Sequence, residues 1–409
     1  MKWVYRCPAC GATYSIEPGR YLCDVCGKKN KPGIPLEGVL ECAWEGELEP
    51  SEKSALSESI PLPVEAEFFP PLPVGETPLW APERLRKTLD APGLWLKDDT
   101  CNPSGSYKDR ASWLVAAFAR KFGIEEIALA STGNAASSMA CVGAAAGIKV
   151  TVFLPRSAPA AKRIQVLQYG ADLREVDGTY DVAFDRSLEY SRETGVLSRN
   201  TAYNPLTIEG KKTASFEIAS DLARAVAARG RAPAYPAAAG KAPVAKWLAP
   251  GNVFVPTGDG VIISGVIKGF EDLLRLERIA KMPRFWVAQA EGSSAIVRAL
   301  ETGRFEVRPS VTLADSISVD VPRNGSFALA KLRKYGGRGV TATDEEILSA
   351  QRMLSSMSGL FAEPSSACAF ACWLKARSSI PKNESVVVML TGSGLKDIKN
   401  AARAVGAQA

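Results

Sequence analysis

The sequence predicts an α/β protein with two open, mostly parallel sheets and a small cysteine-rich unit at its N-terminal end. The chain of 409 residues is long enough for two or three domains. From residue 94 onward, apolar segments of strand length alternate with segments of helical periodicity, which is typical of βαβ units. Four of the nine cysteines lie within the first 26 residues, which indicates a metal-stapled unit ahead of the sheets.

The composition is that of a soluble globular enzyme and excludes several kinds of chemistry. Apolar residues make up 46% and charged residues 23% of the chain. There is no run of eighteen apolar residues and no hydrophobic leader, so we expect a cytoplasmic protein without membrane contact. The net charge of +6 is spread along the chain and does not indicate nucleic-acid binding. The chain has no histidine, which excludes Ser-His-Asp and Cys-His catalysis and His-ligated catalytic zinc.

The shifts in composition and pattern suggest four parts of the chain. We predict a zinc ribbon at 1–45 and, at 46–93, a linker and extended segment on the large domain. The two runs of alternating strands and helices after residue 93 predict two α/β domains.

Strands and helices are predicted in alternation within the two α/β domains. We expect strands at 95–99, 125–131, 149–155, 171–176, 252–256, 284–290 and 385–390. We expect helices at 110–122, 134–146, 159–169, 181–194, 210–228, 261–280, 343–358 and 366–376, with one more at the C-terminal end.

The N-terminal cysteines have the spacing of a metal site. They form two CxxC pairs, each followed by glycine, with twelve residues between the pairs: Cys7, Cys10, Cys23 and Cys26. Two such pairs supply four thiolates to a tetrahedral zinc ion, which leaves no open position and therefore predicts a structural metal. The alternative is a redox motif of the thioredoxin type, but that motif occurs once per site rather than as a spaced pair.

Four segments combine turns, hydroxyls and a lysine where ligands bind in parallel sheets, beyond the carboxyl ends of strands. They are NPSGSYKDR (102–110), ASTGNAAS (130–137), VPTGDGVIISG (255–265) and LTGSGLKD (390–397). Each alone has an ordinary explanation: a surface lysine, an N-cap, or a glycine turn between strand and helix. Together they supply the parts that hold pyridoxal phosphate, namely a lysine, an anion cradle, a phosphate loop and a last hydroxyl.

With EGKKTASFEIA (209–219) and EPSSA (363–367), these segments resemble threonine synthase and its relatives among the fold type II pyridoxal-phosphate enzymes. The resemblance covers about 75–405. It implies two open α/β domains with the cofactor between them: a large cofactor-binding domain at 94–101 and 206–409, and a small domain at 102–205. An N-terminal cysteine knuckle also occurs in some of these proteins. The motifs are specific for the fold type and the cofactor, and less so for the substrate.

The resemblance also assigns roles to individual residues. Lys108 matches the catalytic lysine that forms a Schiff base with the cofactor, and Asn134 matches the amide at its 3-hydroxyl group. Thr391 matches the hydroxyl at the pyridine nitrogen, a neutral partner that favours elimination and replacement over transamination. The substrate carboxylate would be held by Ser131, Thr132, Asn134 and Ala135. The cofactor phosphate would be held by Gly258, Asp259, Gly260, Val261 and Ile262.

The sequence departs from the family pattern at two positions that concern the substrate. Thr207 stands where the family has an arginine shortly before the EGxKT segment, and Asp259 stands where an asparagine is usual. The loss of one charged donor and the gain of a carboxylate would both weaken the binding of a phosphate dianion. We therefore expect weak use of O-phosphohomoserine compared with a typical threonine synthase. Lys211 or Lys212 could compensate.

The resemblance favours a carbon-oxygen lyase that removes the γ-phosphate of O-phosphohomoserine and adds water to give L-threonine. An alternative keeps the cofactor but changes the reaction to β-elimination or β-replacement, as in serine and threonine dehydratases or cysteate-forming relatives. From a different class, a non-catalytic zinc-ribbon protein that binds nucleic acid or protein remains a hypothesis. We expect a homodimer that takes a small amino-acid substrate.

Overall fold

The computed structural model describes residues 2–31, 33–47, 49, 59–131, 133–156, 160–178, 180–228 and 247–407. Contacts along the chain divide it into two compact units. Unit 1 comprises Met1–Leu48, Pro61–Gly75 and Asn102–Lys211, and unit 2 comprises Glu49–Ile60, Glu76–Cys101 and Lys212–Ala409. The domain boundaries that the sequence suggests remain a prediction.

Unit 1 contains two sheets. The strands β1 (Trp3–Arg6), β2 (Thr13–Tyr14) and β3 (Glu41–Trp44) form an antiparallel sheet in the order β2-β1-β3. A second sheet, in the order β8-β7-β6-β9, is parallel throughout: β6 (Glu126–Ala130), β7 (Lys149–Pro155), β8 (Asp172–Val176) and β9 (Leu197–Ser198). Its helices are α2 (Lys108–Lys121), α3 (Asn134–Ala146), α4 (Ala160–Gln168), α5 (Tyr180–Thr194) and α6 (Leu206–Glu209).

The small antiparallel sheet and helix α2 contribute to the same apolar core. Tyr5 and Leu40 of the N-terminal region belong to one cluster of buried residues with Leu114 and Val115 of α2. The N-terminal region is also tied to the parallel sheet, since the backbone N–H of Ser198 donates to the Tyr21 hydroxyl at 2.7 Å. The cysteine-rich region is therefore packed as a part of unit 1.

Unit 2 is built on one six-stranded sheet in the order β12-β11-β10-β13-β5-β4. All neighbours pair in parallel except β4 and β5, which are antiparallel. The strands are β4 (Leu79–Trp80), β5 (Leu94–Asp98), β10 (Asn252–Pro256), β11 (Arg284–Ala290), β12 (Arg338–Ala342) and β13 (Val386–Leu390). The helices are α1 (Glu83–Thr88), α7 (Thr213–Ala227), α8 (Val261–Arg275), α9 (Ala295–Thr302), α10 (Gly325–Lys334), α11 (Asp344–Ser358), α12 (Pro364–Ala376) and α13 (Ile398–Ala404).

The remaining regular structure consists of short 3-10 turns at Cys26–Lys29, Ala66–Phe68, Asp99–Cys101, Gly210–Lys212, Glu291–Ser293, Asp315–Ile317, Arg377–Ser379 and Gly394–Lys396. Among the residues that the structure describes, no helix has the length and apolarity needed to cross a bilayer.

The central strands of both parallel sheets match the sequence prediction closely, because buried strands of a parallel sheet are continuous apolar runs. Every residue of β10 and of β13 is buried, for example. The edge strand β12 was missed, since its sequence RGVTA is half-exposed and contains no apolar run. The short helices α9 and α10 were missed for a similar reason, since neither extends beyond ten residues.

A buried ion pair joins strand β5 and the residues just before β4 to helix α7 within unit 2. Lys97 is fully buried, and its Nζ donates to the Glu217 carboxylate and to the Thr77 carbonyl oxygen, both at 2.6 Å. Glu217 also accepts the backbone N–H groups of Glu76 and Thr77. Such a pair is sensitive to the loss of either member, because the remaining charge is buried without its counter-ion.

We predict that Lys97→Met lowers the free energy of unfolding by about 3–5 kcal/mol, because Glu217 keeps its buried charge. Urea titration followed by circular dichroism measures the change. Lys2→Met is the control, since Lys2 and Glu45 form an ion pair in which the lysine side chain is 76% exposed. The control should change stability by less than about 1 kcal/mol. Equal effects in the two variants would contradict this prediction.

Candidate functional site

The loop before Lys108 is tightly held. Asp109 accepts the backbone N–H of Ser104 at 2.7 Å and its hydroxyl at 2.5 Å, and it is fully buried. Gly105 lies at a φ of +81°, which a residue with a side chain rarely adopts. Lys108 is the first residue of α2 and is half-buried. The lysine therefore starts a helix whose entry is locked by a serine and an aspartate.

The turn at 206–212 supports the same helix end from another side. The Tyr107 hydroxyl donates to the carbonyl oxygen of Lys211 at 2.5 Å. A Cβ atom on Gly210 would lie 2.3 Å from the Arg110 carbonyl oxygen, so the turn approaches the first residues of α2 closely. Only glycine permits this approach.

Ser131 and Asn134 lie at the N-terminal end of α3, directly after strand β6. The Ser131 Oγ accepts the backbone N–H groups of Gly133 and Ala136, each at 3.2 Å. Asn134 is the first residue of α3 and is buried, and Ala135 follows it. Because two amides occupy the Ser131 oxygen, its own proton is available to donate to an acceptor such as a carboxylate. Thr132 lies outside the described residues.

Helices α2 and α3 are joined near these ends. The Ser138 hydroxyl of α3 donates to the Ser112 Oγ of α2 at 2.7 Å, and both side chains are fully buried. The structure therefore brings the helix that starts at Lys108 and the helix that starts at Asn134 into one packed pair within unit 1.

In unit 2, strands β10 and β13 are hydrogen-bonded neighbours and run parallel. Their carboxyl ends therefore lie side by side, which places the turn at 257–260 next to Thr391 and Gly392 at one edge of the sheet. Thr391 directly follows β13 and is buried, with 6% of its surface exposed. The two segments that the sequence assigns to the cofactor phosphate and to the ring nitrogen are thus adjacent.

The turn at 258–262 has the form of an anion site. Gly260 has a φ of +87° and precedes α8, a helix of 15 residues with no side-chain cap at its N-terminal end. Val261 and Ile262 form the first turn of this helix, whose backbone N–H groups and dipole favour a bound phosphate. A Cβ atom on Gly260 would lie 2.9 Å from the Cβ of Ala328, and one on Gly258 would lie 3.0 Å from the Cα of Ile317. The turn is therefore closely backed by its neighbours.

The segment at 322–325 clasps this turn. The backbone N–H of Arg323 donates to the Asp259 Oδ1 at 3.0 Å, and that of Asn324 donates to the Asp259 carbonyl oxygen at 3.0 Å. The fully buried Asn324 also donates to the Gly260 carbonyl oxygen and to the Ser264 Oγ. The Asp259 carboxylate thus stabilises the turn. The sequence analysis considered only its repulsion of a phosphate and not this hydrogen bond.

The side chains around Thr207 also differ from what the sequence suggests. Thr207 is fully buried, and its hydroxyl donates to the Asn204 carbonyl oxygen at 2.7 Å. An arginine at this position would therefore require the turn to move. Lys211, likewise buried, donates from its Nζ to the Thr207 carbonyl oxygen at 2.7 Å. Lys212 instead forms an ion pair with Asp272 in unit 2.

The four N-terminal cysteines form a cluster. Their sulfur atoms all lie within 4.8 Å of one another: Cys7, Cys10, Cys23 and Cys26. The Cys10 and Cys23 sulfurs are 3.6 Å apart, close to the roughly 3.8 Å between two thiolates on a tetrahedral zinc ion. The geometry and the donor set are compatible with a zinc ribbon.

Hydrogen bonds give the cysteine thiols unequal acidity. Burial raises the pKa of the Cys23 thiol, but the backbone N–H of Cys26 and the Tyr14 hydroxyl outweigh burial and lower that pKa to about 6. Hydrogen bonding to the Cys10 sulfur, together with burial, raises the pKa of Cys26 to about 12. The amides that face Cys23 favour its thiolate form, which is the form that binds metals.

Sequence reasoning did not find Asp109 or Asn324, although each supports a predicted site residue. The role of Asp109 could have been predicted from the sequence. An aspartate five residues after Ser104 can accept hydrogen bonds from the hydroxyl and the backbone N–H of that serine. Asn324 is far from the turn at 258–262 along the chain, so only the fold brings them together.

Comparison with known proteins agrees with these features. The family described as "Pyridoxal-phosphate dependent enzyme" matches residues 71–392. The threonine synthase of Methanocaldococcus jannaschii is 32% identical over 98% of this chain and 95% of its own length. That of Methanosarcina acetivorans is 32% identical over 96% of this chain and 92% of its own length.

The structure of the processed form of threonine deaminase isoform 2 from Solanum lycopersicum has the same fold, with a TM-score of 0.66 at 19% identity. The match covers 96% of this chain and 98% of that chain. The predicted fold type and the predicted class, a pyridoxal-phosphate-dependent lyase related to threonine synthases, are confirmed. The chain therefore belongs to the pyridoxal-phosphate-dependent enzymes and, among them, is a homologue of the threonine synthases.

Proposed function

We propose that this protein is a threonine synthase-like enzyme, which removes the γ-phosphate of O-phosphohomoserine and adds water to give L-threonine. The observation that supports this best is the packed pair α2 and α3, which presents Lys108 and Asn134 at two neighbouring helix starts. The similarity to threonine synthases over nearly the whole chain supports the same reaction.

The residues present fit pyridoxal phosphate. The uncapped N-terminal turn of α8 offers backbone N–H groups to its phosphate, Lys108 offers an amine, and Thr391 offers a neutral hydroxyl to its ring nitrogen. Asn134 would bind the 3-hydroxyl group. When bound, the cofactor withdraws electrons from the α-carbon of an amino acid and so makes its protons acidic.

Different residues of the chain would transfer protons, bind the substrate carboxylate and position the lysine. The Lys108 amine would move protons at the substrate Cα and Cβ. Ser131 donates its free proton to the substrate carboxylate, together with donors from Thr132, Asn134 and Ala135. The two hydrogen bonds from Ser104 to the Asp109 carboxylate limit the movement of the loop that precedes the lysine.

For the substrate phosphate, we propose Lys211 as the compensating cation. Its Nζ lies at the Thr207 carbonyl oxygen, in the turn where the family pattern has an arginine. Lys212 is less suited, since it is paired with Asp272, which a second buried lysine, Lys268, also contacts.

A second candidate function follows from the same turn. Because Thr207 is buried and its hydroxyl is used internally, the turn lacks the forked donor that recognises a phosphate dianion best. A β-elimination or β-replacement on serine, threonine or a related amino acid would not need that donor. The cofactor residues would be the same.

We further propose that the cysteine cluster holds one structural zinc ion, with all four thiolates as ligands. The cytoplasmic location and the homodimer remain predictions from the sequence.

Lys108→Ala should abolish the covalent attachment of the cofactor, because the amine that binds it is lost. Borohydride reduction followed by peptide mass spectrometry should find the cofactor on Lys108 in the parent protein and on no peptide of the variant. Lys121→Ala, which changes a lysine of the same helix that pairs with Glu65, should keep the label. A label that persists in Lys108→Ala would refute the assignment.

Lys211→Met should raise the KM for O-phosphohomoserine about ten- to a hundredfold with a smaller change in kcat, because one charged donor is worth about 1.5–3 kcal/mol. Release of inorganic phosphate measures this, and Lys121→Met should leave both constants unchanged. Release of 2-oxo acid from threonine or serine, without phosphate release from O-phosphohomoserine, would favour the second candidate function. An unchanged KM in Lys211→Met would exclude Lys211 as the cation.

Replacing both Cys7 and Cys10 with serine should release about one zinc ion per chain and lower the stability of unit 1, whose core includes Cys7. Elemental analysis of the purified protein measures the metal. Cys42→Ser is the matched control, because Cys42 is buried in β3 but does not belong to the cluster. The control should retain its zinc. Full metal content in the double variant would contradict the four-thiolate site.

A further inference from the structure

The EPSSA segment at 363–367 joins a helix start to the end of strand β13. Pro364 is the first residue of α12, and Glu363 precedes it. The backbone N–H of Glu363 donates to the Gly392 carbonyl oxygen at 2.9 Å, and a Cβ atom on Gly392 would lie 2.4 Å from the Glu363 Oε1. A bridge between Ala362 and Ser393 extends this pairing. The backbone around Thr391 is therefore closely held by the start of α12.

Ser366 makes the contacts that matter most in this junction. Its side chain is fully buried, and its Oγ accepts the backbone N–H of Thr391 at 3.0 Å and that of Gly392 at 2.8 Å. The same Oγ lies 3.2 Å from the Thr391 Oγ1 and 3.2 Å from the Gly392 carbonyl oxygen.

The number of protons and lone pairs decides the direction of the hydroxyl contact. A serine hydroxyl has two acceptor lone pairs and one proton. The two backbone amides occupy both lone pairs of Ser366, so the Thr391 hydroxyl has no lone pair to donate to. The Ser366 hydroxyl must instead donate its hydrogen bond to the Thr391 Oγ1 or to the Gly392 carbonyl oxygen. In both cases the proton of Thr391 is kept for a different acceptor.

We infer that Ser366 is a positioning residue that fixes the Thr391 hydroxyl as a hydrogen-bond donor. This inference rests on the proposed function, in which the Thr391 hydroxyl faces the pyridine nitrogen of the cofactor. A donor at that nitrogen requires an acceptor, which is the unprotonated ring. Ser366 thus keeps a hydrogen-bond donor directed at the unprotonated ring nitrogen, and the unprotonated ring is the form that favours elimination and replacement.

The test uses cofactor labelled with ¹⁵N in the pyridine ring, bound to the parent chain and to Ser366→Ala. In the parent, the ¹⁵N resonance should be that of an unprotonated nitrogen that accepts a hydrogen bond. In Ser366→Ala, the resonance should move toward that of free, unprotonated pyridine, because the Thr391 hydroxyl is no longer oriented. The Kd for the cofactor should rise about tenfold, because Thr391 and Gly392 lose a common acceptor.

Two further variants separate positioning from stability. Ser365→Ala is the matched control, since Ser365 is 2% exposed and, in the described part of the chain, makes no side-chain hydrogen bond to residues 390–394. It should leave the resonance and the cofactor Kd unchanged. Ser366→Thr keeps the hydroxyl and should retain the parent resonance even if the added methyl group lowers the midpoint of unfolding. Parent values of both signals in Ser366→Ala would overturn the inference.

A double variant tests whether Ser366 acts through Thr391. In a Thr391→Val background, Ser366→Ala should no longer move the resonance, because the hydroxyl that it orients is absent. A shift of the same size in both backgrounds would also overturn the inference. Neither signal depends on the amino-acid substrate, so a failure of phosphate release from O-phosphohomoserine would refute the proposed reaction without touching this result.

Discussion

The parallel pairing of β10 with β13 is the constraint on which the proposed cofactor-binding residues of unit 2 depend. Because these strands are neighbours with the same direction, the turn at 257–260 and the residue Thr391 meet at one sheet edge, although they are far apart along the chain. Buried polar side chains from other segments then fix the conformation of both parts. Asn324 shapes the turn that follows β10, and Ser366 shapes the residues that follow β13. The sheet supplies proximity, and the buried polar side chains supply orientation.

Much of the fold was predictable because buried strands and amphipathic helices leave strong periodic patterns. The central strands and the long helices follow such patterns, whereas the edge strand β12 and the short helix α9 do not, since half-exposed or brief elements have weak periodicity. The cysteine cluster was equally predictable, since two closely spaced pairs need only a local turn each to converge.

The candidate site was predictable as a set of segments but not as a set of contacts. The sequence predicts that Asp259 lies in a turn that binds the cofactor phosphate, yet only the fold reveals that its carboxylate accepts the N–H of Arg323. Similarly, the family resemblance predicts an arginine where Thr207 stands, whereas the structure buries this threonine and brings the Lys211 amine to its carbonyl oxygen. Polar side chains act through partners that are distant in sequence, and local patterns do not record those partners.

The shared core of unit 1 has a consequence for how such a chain can evolve. Cys7 and Tyr5 belong to the same cluster of buried residues as Leu114 of α2, so the loss of the N-terminal region would expose part of this cluster to water. Loss of this region would therefore favour polar replacements at the apolar positions that it leaves exposed. The N-terminal region is thus part of the core of unit 1. Its retention during evolution is coupled to the sequence of the helix that begins with Lys108.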